Sequence, residues 1–334
     1  MKINSHSLQK ILFLLIILIS FSTSAQVLRK RTTKLMGGRF DITIVANDSL
    51  SAEQNIDTVI AEITRIENLI SDWKADTQIS EVNRNAGIKP VKVSAEVFAL
   101  TQRAIHLSVI TNGAFDISFA AMDRIWKFDG SMTKMPTPEA VKKSVEKVGY
   151  RNIVLNAQNS TIFLKKKGMK IGFGALGEGY AADRCRDMML ARGIKAGIVN
   201  GSGDMNTWGK QPNGNDWAIG ITNPLHKDTI FAVVPLKQGA VVTSGSYEKY
   251  VIFNGKRYSH IINPATGYPA TGLCSVTVFG PSAEVANGLS TSMMVLGKVK
   301  GLQLIKRYPH YSCIMIGDDE KIFSQNLDVK KYAL

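Results

Sequence analysis

The stretch KIGFGALGEGYAADRCRDMMLARGIKAGIVNGSGDMNTWG, residues 170–209, decides the fold class of the chain. It predicts a strand, a glycine-rich turn, a helix that runs to Arg192 and ends at Gly193, and a strand over 196–200. The turn contains GFGALG, which matches the letters of the GxGxxG dinucleotide fingerprint. A dinucleotide-binding fold also needs a run of parallel βαβ units and an acidic residue at the end of a following strand. Neither surrounds this turn, so the letter match alone is weak.

The elements on either side mix helices with closely spaced strands. Apolar residues recur at helical spacing over 51–70, and Ser94 can cap a second helix that runs to about Val109. A later helix spans 282–297 and precedes a closing strand pair. The other predicted elements are a strand over 37–48, a loop with short helical pieces over 70–87, a helix over 137–148, a hairpin over 150–173, and strands with their turns in 216–223, 229–237, 239–247, 249–255, 258–264 and 273–280. We therefore expect an α+β fold, with residues 26–334 forming one compact domain of mixed, mostly antiparallel sheets and packed helices.

Residues 1–25 have the pattern of a secretory signal peptide. Lys2 and Lys10 precede the apolar run ILFLLIILISF, and Thr23 and Ala25 stand at the −3 and −1 positions of a cleavage after Ala25. The run is short for a membrane span, which needs ~20 residues, although an uncleaved anchor stays open. No cysteine stands near the end of this run, since the first one in the chain is Cys185, so we do not expect a lipoprotein. The expected location is the periplasm, with association with the inner membrane as an option.

Composition excludes several classes of function. The formal net charge is +14, but the basic residues come in short pieces such as 29–34 and 165–168 rather than along one aromatic-studded stripe. We therefore do not expect a nucleic-acid partner. The three cysteines form no CxxC pair, which favours buried thiols, and the five histidines form no close pair, which argues against a zinc hydrolase. The chain has no GxSxG elbow and no Walker lysine loop.

The glycine-rich turn is the first segment suited to a phosphorylated ligand. Its glycines let the backbone approach a ligand, and the following helix N-terminus presents N–H groups to an anion. Glu178 in this turn would repel phosphate, so it suits an N–H or hydroxyl donor better. A plain helix-capping turn, in which Glu178 favours the helix dipole, explains the segment equally well.

Three further segments end strands with polar groups. NGSGD (200–204) leaves Asp204 exposed to the same region, and TSGSY (243–247) forms a hydroxyl-rich turn whose N–H groups could hold phosphate oxygens. In YSHIINPATGYP (258–269), His260 lies on a strand that ends at polar turns. Connecting turns and a packed histidine are the alternative explanations.

The segment VANGLSTSMMVLG (285–297) is an apolar helix with one polar face. Asn287, Ser290 and Thr291 stand at i, i+3 and i+4, and Ser282 can cap the helix. Burying such groups without partners costs on the order of a few kcal/mol each. Their oxygens suit a hard cation such as Mg²⁺, although neutral ligands bind it weakly unless phosphates add charge. A polar face bonded to a neighbouring loop is an equal alternative.

The order of these motifs resembles the ApbE family. The resemblance rests on MGGRFDITI (36–44), ISDWKADTQISEVNR (70–84), GAFDIS (113–118), GALGEGYAAD (174–183), NGSGD (200–204), TSGSYEKY (243–250), KRYSHIINPATGYP (256–269) and SVTVFGPSAEVANGLSTSMMVLG (275–297). It implies an exported α+β FAD:protein FMN transferase. Such an enzyme splits the pyrophosphate of FAD with Mg²⁺, links FMN to a Thr or Ser hydroxyl of a target protein and releases AMP. The implied targets are subunits of membrane redox complexes and related FMN-binding domains.

The resemblance also implies roles for individual residues. The implied FAD contacts are Met36, Trp73, Ala114, Phe115, Asp116, Glu178 and Ile262, with Trp73 as a stacking ring. His260 is the residue implied in transfer, and the implied Mg²⁺ ligands are Ala175, Asn287 and Thr291. The chain departs from the family pattern at Asn287 and at Gly172, where Asp is usual or frequent. Because each change removes a charge, a FAD-binding protein with little turnover and a FAD pyrophosphatase stay as alternatives.

Overall fold

The computed structural model describes residues 26–224, 229–247 and 249–332, so the predicted signal peptide lies outside the described residues. The strands are β1 (Val27–Leu35), β2 (Gly38–Ala46), β3 (Val91–Lys92), β4 (Ile153–Asn156), β5 (Thr161–Leu164), β6 (Ala196–Gly201), β7 (Asp204–Trp208), β8 (Trp217–Thr222), β9 (Ile230–Leu236), β10 (Gly239–Gly245), β11 (Tyr250–Phe253), β12 (Lys256–Ser259), β13 (Leu273–Gly280), β14 (Ser312–Gly317) and β15 (Ile322–Gln325). The α-helices are α1 (Ser49–Ile70), α2 (Gln78–Arg84), α3 (Ala95–Ile110), α4 (Pro138–Ser144), α5 (Gly177–Ala191) and α6 (Ala283–Ile305), and short 3₁₀ helices span Ile117–Ala121, Tyr150–Asn152 and Val329–Lys331.

One large antiparallel sheet organises the domain. Its strand order is β1-β2-β6-β7-β10-β13-β14-β15, and every neighbouring pair is antiparallel. Smaller sheets pair β3 and β4 with β5, β8 with β9, and β11 with β12. The glycine-rich turn and helix α5 therefore connect to an antiparallel sheet. The predicted α+β class is confirmed, and GFGALG belongs to no parallel βαβ unit of the described chain.

Both faces of the large sheet are covered, which explains why its strands are so apolar. Helices α1, α5 and α6 pack on one face, and the β8–β9 hairpin packs on the other. In β2, Phe40, Ile42 and Ile44 join the core on the helix side, while Val45 joins the cluster under the hairpin with Trp217. Successive strand residues point to opposite faces, so a doubly covered strand buries nearly all of them.

The helix starts follow the predicted caps. The Ser94 hydroxyl accepts a hydrogen bond from the Val97 N–H at 3.3 Å, and the Ser282 hydroxyl accepts one from the Val285 N–H at 3.2 Å. Each bond satisfies an N–H group that has no partner inside its helix. The predicted starts of α3 and α6 are therefore confirmed.

Two helices end elsewhere than the sequence predicts. Helix α6 continues past 297 to Ile305, because Gly297 takes a φ of 73° and kinks the helix without ending it. Helix α4 covers only Pro138–Ser144 of the predicted 137–148, since Val145 already leaves helical geometry. The extension of α6 lengthens its contact with the sheet and leaves the polar face in the first half of the helix.

Three local predictions around the site are wrong in detail. The segment before the glycine-rich turn is not a strand. The Asn83 side-chain amide accepts a hydrogen bond from the Ile171 N–H (2.8 Å) and donates one to the Ile171 C=O (2.9 Å), so a side chain takes the place of a neighbouring strand. The TSGSY turn starts later than predicted, since residues 243–245 still pair with β13. His260 follows the end of β12 instead of lying within a strand.

Two general features also bear on the predictions. Cys185, Cys274 and Cys313 are buried free thiols, as their spacing favours. Among the residues that the structure describes, none of the helices is both long and apolar enough to cross a membrane.

Candidate functional site

Two adjoining cavities collect the site residues that the sequence predicts. The large cavity has a volume of about 520 Å³ and the small cavity one of about 370 Å³, and Asp72, Trp73 and Gly174 line both. Of the predicted residues, the large cavity is lined by Trp73, Ala114, Phe115, Asp116, Ala175, His260, Ile262, Asn287 and Thr291, and the small cavity by Met36, Trp73 and Glu178. Segments far apart in sequence thus meet around one continuous cleft.

The polar face of α6 forms one wall of the large cavity. The Ser244 hydroxyl on β10 lies 2.8 Å from the Ser290 hydroxyl and 3.3 Å from the Thr291 hydroxyl. Ser290 is fully buried and also donates to the Asn287 C=O at 3.1 Å. Ser290 therefore joins helix to sheet, whereas Asn287 and Thr291 line the cavity. Ser290 thus fits the explanation of a polar face bonded to a neighbouring element, whereas Asn287 and Thr291 are placed where they could face a cation.

Asp204 also lines the large cavity, beside Asn287, but it is buried, contrary to the exposure expected from the sequence. It begins β7, is 7% exposed, and accepts a hydrogen bond from the Asn287 side-chain amide. Burial raises the pKa of Asp204 to about 8, the negative charge of Glu178 adds to the shift, and the Asn287 bond opposes it. A nearby cation would favour the charged form of this carboxyl group.

Glu178 stands in the first turn of α5 and lines the small cavity. The helix begins at Gly177 without a side-chain cap, so a carboxylate here interacts favourably with the helix dipole. Its Oε1 lies 3.2 Å from the Ser202 hydroxyl, which donates to it. Burial raises the pKa of Glu178, and the Ser202 bond partly offsets that shift. The carboxylate can accept a hydrogen bond from a ligand N–H or hydroxyl group.

The GAFD turn is held in place by Asp116. Asp116 Oδ1 accepts bonds from the N–H and the hydroxyl of Ser118 (2.8 and 2.6 Å), and Oδ2 accepts one from the Tyr150 N–H (2.7 Å). Burial raises the pKa of Asp116 and these bonds lower it. The carboxylate oxygens are therefore used inside the protein, where they fix the turn that brings Ala114 and Phe115 to the cavity.

Trp73 is an exposed ring on the wall shared by both cavities. Its exposed fraction is 75%, and the Arg124 guanidinium carbon lies 4.4 Å from its ring centroid. A large aromatic ring left open to solvent beside a cavity offers a stacking surface for a flat ligand. The cation over one face of the ring restrains its orientation.

Asp72 is a wall residue that the sequence analysis missed. A Cβ atom added at Gly172 would lie 3.0 Å from Asp72 Oδ2, so this carboxylate fills the space in front of that glycine. Burial raises the pKa of Asp72, while Lys170 and Arg124 lower it. Asp72 and Trp73 are neighbours in the ISDWKADTQISEVNR motif, and that adjacency is the signal that could have identified Asp72.

His260 reaches the large cavity from the end of the β11–β12 hairpin. Its Nδ1 lies 3.1 Å from the Lys249 carbonyl oxygen. Because a carbonyl only accepts hydrogen bonds, Nδ1 carries the hydrogen, and Nε2 is the nitrogen that can take up a proton. The Phe128 ring packs edge-on against the imidazole, with centroids 6.4 Å apart. Backbone and aromatic contacts thus orient the ring.

Ile262 lines the cavity from the loop that follows His260. It forms an isolated bridge with Pro269 and packs with Trp126 and Val141 in a small apolar cluster. The Trp126 indole N–H donates to the Gly267 C=O at 2.8 Å. This apolar cluster packs against the INPATGYP loop (262–269) and so fixes one wall of the cleft.

The oxygen atoms near α6 fit a hard divalent cation. Thr291 Oγ1 lies 3.3 Å from Asn287 Oδ1, and Ala175 lines the same cavity. Hydroxyl, amide and backbone carbonyl oxygens are ligands that Mg²⁺ accepts. No described group of three or more His, Cys, Asp or Glu side chains could hold a metal, so the cation would draw on these neutral oxygens and on ligand phosphates. The Asp204 carboxyl group, bonded to Asn287, would add negative charge here once a bound cation favours its ionised form.

Comparisons with known proteins identify the family to which the chain is similar. Residues 36–315 match the model of the ApbE family. The chain is 30% identical over 279 residues to a FAD:protein FMN transferase of Klebsiella pneumoniae, covering 82% of this chain and 80% of that protein. It is 30% identical over 292 residues to a FAD:protein FMN transferase of Salmonella typhimurium, covering 86% of this chain and 83% of that protein.

The fold also matches solved structures. The crystal structure of the ApbE protein from Thermotoga maritima superposes with a TM-score of 0.80 at 26% identity, over 89% of this chain and 96% of that one. The family model spans the segments that line both cavities, from Met36 on the small cavity to Thr291 on the large one. The chain belongs to the ApbE family.

Proposed function

We propose that the protein transfers the FMN part of FAD to a Ser or Thr hydroxyl group of a target protein and releases AMP. The observation that carries the proposal is the meeting of every predicted site residue around two adjoining cavities. Their volumes of about 520 and 370 Å³ lie in the range of small-molecule sites. FAD has two ring systems joined by a pyrophosphate, which suits two cavities that meet at Trp73.

The proposed reaction exchanges the phosphoanhydride bond of FAD for a phosphoester bond to the acceptor. The hydroxyl oxygen of the acceptor attacks the phosphorus on the FMN side, and the bond from that phosphorus to the bridging oxygen breaks. The bridging oxygen leaves with AMP, and the hydroxyl proton moves to a base. His260 is our candidate base, because its Nδ1–H is held by the Lys249 carbonyl and Nε2 is the proton-accepting nitrogen.

We propose that Ala175, Asn287 and Thr291 hold a Mg²⁺ ion. These three residues line the large cavity, where the pyrophosphate of FAD would add further oxygen ligands. When bound, the ion would offset negative charge on the phosphates. Trp73 would stack on a ring system of FAD, and Glu178 would accept a hydrogen bond in the small cavity. Met36, Ala114, Phe115, Asp116 and Ile262 would shape the remaining walls.

Mass spectrometry of an acceptor protein tests the proposal. The purified protein is mixed with FAD, Mg²⁺ and an FMN-binding domain that carries a Ser or Thr acceptor. We expect the acceptor to gain the mass of one FMN, with AMP released in equal amount. His260→Gln should slow the transfer by roughly 10²–10⁴-fold, the usual contribution of a general base. His310→Gln, a change of an exposed histidine outside both cavities, should transfer normally.

Two other outcomes would contradict the transferase proposal. Intact FAD that stays bound without modifying the acceptor would indicate a FAD-binding protein with little turnover, for which the uncharged Asn287 is the supporting feature. Free FMN and AMP formed without an acceptor would indicate a FAD pyrophosphatase.

We further propose that the protein works outside the cytoplasm, in the periplasm or at the inner membrane, on a subunit of a membrane redox complex or an FMN-binding domain. The signal-peptide pattern of residues 1–25 supports this location. Cell fractionation and the N-terminal mass of the mature protein test it. A mature chain that starts at Gln26 is the expected result, and an uncut chain in the cytoplasm would contradict it.

A further inference from the structure

The side-chain amide of Asn287 has a defined orientation in this protein. Its Nδ2 donates to Asp204 Oδ2, and the two residues are 8% and 7% exposed. A nearby cation favours the ionised form of Asp204, and because an ionised carboxylate only accepts hydrogen bonds, the NH₂ group then has to face Asp204. The amide oxygen must then face the other way, where Thr291 Oγ1 lies 3.3 Å from it.

The hydroxyl group of Thr291 is positioned in the same network. Ser244 Oγ on β10 lies 3.3 Å from Thr291 Oγ1 and 2.8 Å from Ser290 Oγ. Strand β10 also pairs with β7, which Asp204 begins. The sheet therefore holds both partners, Asp204 and Ser244, that set the oxygens of α6 toward the large cavity.

Asp204 also brings negative charge that the helix face lacks. Asn287, Ser290 and Thr291 are neutral, and no Lys, Arg or His of the described chain forms an ion pair with Asp204. The two charged groups that act on Asp204, Glu178 and Asp183, have the same sign as its carboxylate. A buried carboxylate without a cationic partner is costly, which makes a cation on the far side of Asn287 favourable.

We propose that Asp204 is a positioning residue for the divalent cation: its hydrogen bond turns the Asn287 amide oxygen toward Thr291, and its ionised form supplies negative charge to the site through that bond. This inference rests on the proposed function for the presence of the cation. It assigns to Asp204 a role that works through Asn287, with Asp204 itself outside the first coordination layer.

Binding of Mn²⁺ alone, followed by electron paramagnetic resonance on the full chain, tests the role without any turnover. Asp204→Asn should weaken Mn²⁺ binding by roughly 10–100-fold, because an amide at this position carries no negative charge and can present either its oxygen or its NH₂ group, so it no longer fixes the orientation of Asn287. The swapped double variant Asp204→Asn/Asn287→Asp reverses the hydrogen bond and restores one carboxylate. It should bind Mn²⁺ within about threefold of the unmodified protein, or more tightly.

Asp216→Asn is the matched control, because it removes the same charge from a residue outside both cavities. It should leave Mn²⁺ binding unchanged, and circular dichroism should show all variants folded. The proposal is overturned if Asp204→Asn binds Mn²⁺ as tightly as the unmodified protein, or if the double variant binds as weakly as the single one. Absence of Mn²⁺ binding by the unmodified protein would also overturn it. Mn²⁺ binding that follows these expectations without FMN transfer would reject only the proposed function.

Discussion

Two buried aspartates face helix α6, and they are bonded very differently. Asp183 accepts four hydrogen bonds, from Asn206 Nδ2 (2.6 Å), the Ser282 hydroxyl (2.6 Å), and the N–H groups of Ala283 (2.8 Å) and Glu284 (3.1 Å). Among the described side chains, only that of Asn287 donates a hydrogen bond to Asp204. The exposed fractions are nearly equal, at 9% and 7%. Burial alone therefore does not distinguish their roles.

The difference in partners separates a structural carboxylate from one suited to a site. The donors around Asp183 include two of the N–H groups that a helix start leaves without partners, so Asp183 anchors α6 to α5. Asp204 keeps acceptor capacity beside a cavity, and its pKa is raised to about 8. A carboxyl group of that kind stabilises the fold little but can respond to a ligand.

Removing the Asp183 carboxylate should have the largest effect on stability. Asp183→Ala leaves four donors without their acceptor, and each buried donor left unsatisfied costs about 1–3 kcal/mol. After partial relaxation we expect the free energy of unfolding to fall by roughly 3–5 kcal/mol, measured by urea denaturation. Asp187→Ala, an exposed change on the same helix, should shift it by less than about 0.5 kcal/mol. Equal losses in the two variants would refute the anchoring role of Asp183.

Gly179→Ala should have the next largest effect, because it separates the two helices that Asp183 joins. A Cβ atom at Gly179 would lie 2.7 Å from the Ala283 carbonyl oxygen, closer than real contacts allow. We expect a loss of about 1–3 kcal/mol, the usual cost of overpacking, measured by the same urea method. Gly174→Ala, where no atom lies within 4 Å of the added Cβ, is the control for stability. If the two variants lose the same free energy of unfolding, α5 and α6 are not closely packed at this point.

Asp204→Asn should leave stability unchanged or raise it, in contrast to changes at Asp183. The amide oxygen of the introduced asparagine can still accept the hydrogen bond from Asn287, and the variant needs neither to bury a charge nor to take up a proton on folding. We expect a change between zero and about +1 kcal/mol at neutral pH in metal-free buffer. Asp183→Asn serves as the comparison and should lose stability. A loss at Asp204 as large as that at Asp183 would make the two aspartates equivalent.

The same contrast shows what the sequence could predict. Helical spacing and the caps at Ser94 and Ser282 located α3 and the start of α6, because these signals depend on neighbours within a few residues. The polar face of α6 was visible for the same reason. The partners of that face, Asp204 and Ser244, come from β7 and β10, and their pairing depends on the order of strands in the sheet. The spacing of residues along the chain does not indicate the order of the strands in the sheet.

The family resemblance supplied what local patterns could not. It grouped residues as distant as Met36 and Thr291, and in the structure Met36 lines the small cavity and Thr291 the adjoining large one. It did not predict the carboxyl groups that lie next to the two positions where this chain lacks an Asp. Asp72 lies beside Gly172 and Asp204 beside Asn287, and both placements depend on tertiary contacts. The strand predicted before the glycine-rich turn failed for a similar reason, since the Asn83 side chain replaces a strand neighbour there.

Glu284→Gln should have the smallest effect, and its dependence on pH is the informative part. Glu284 is paired with Arg103 at 2.7 Å, yet burial raises the pKa of its carboxyl group above 4.5, with Asp183 adding to the shift and Arg103 opposing it. The folded protein therefore binds this proton more tightly than the unfolded chain does. The stability that protonation of Glu284 contributes is complete below pH 4.5 and is lost as the pH rises through the raised native pKa.

Gln cannot ionise, so the variant should gain stability relative to the unmodified protein as the pH rises from about 4 to 7. We expect a change below about 1 kcal/mol, because Gln can still accept a hydrogen bond from Arg103 and the exposed part of Arg103 is solvated. Urea denaturation across this pH range measures the difference. If the unmodified protein instead gains stability relative to the variant as the pH rises, the favourable ion pair with Arg103 outweighs the cost of burying the Glu284 charge. Glu284 would then belong with Asp183, as a carboxylate whose partners make its charge favourable, rather than with Asp204.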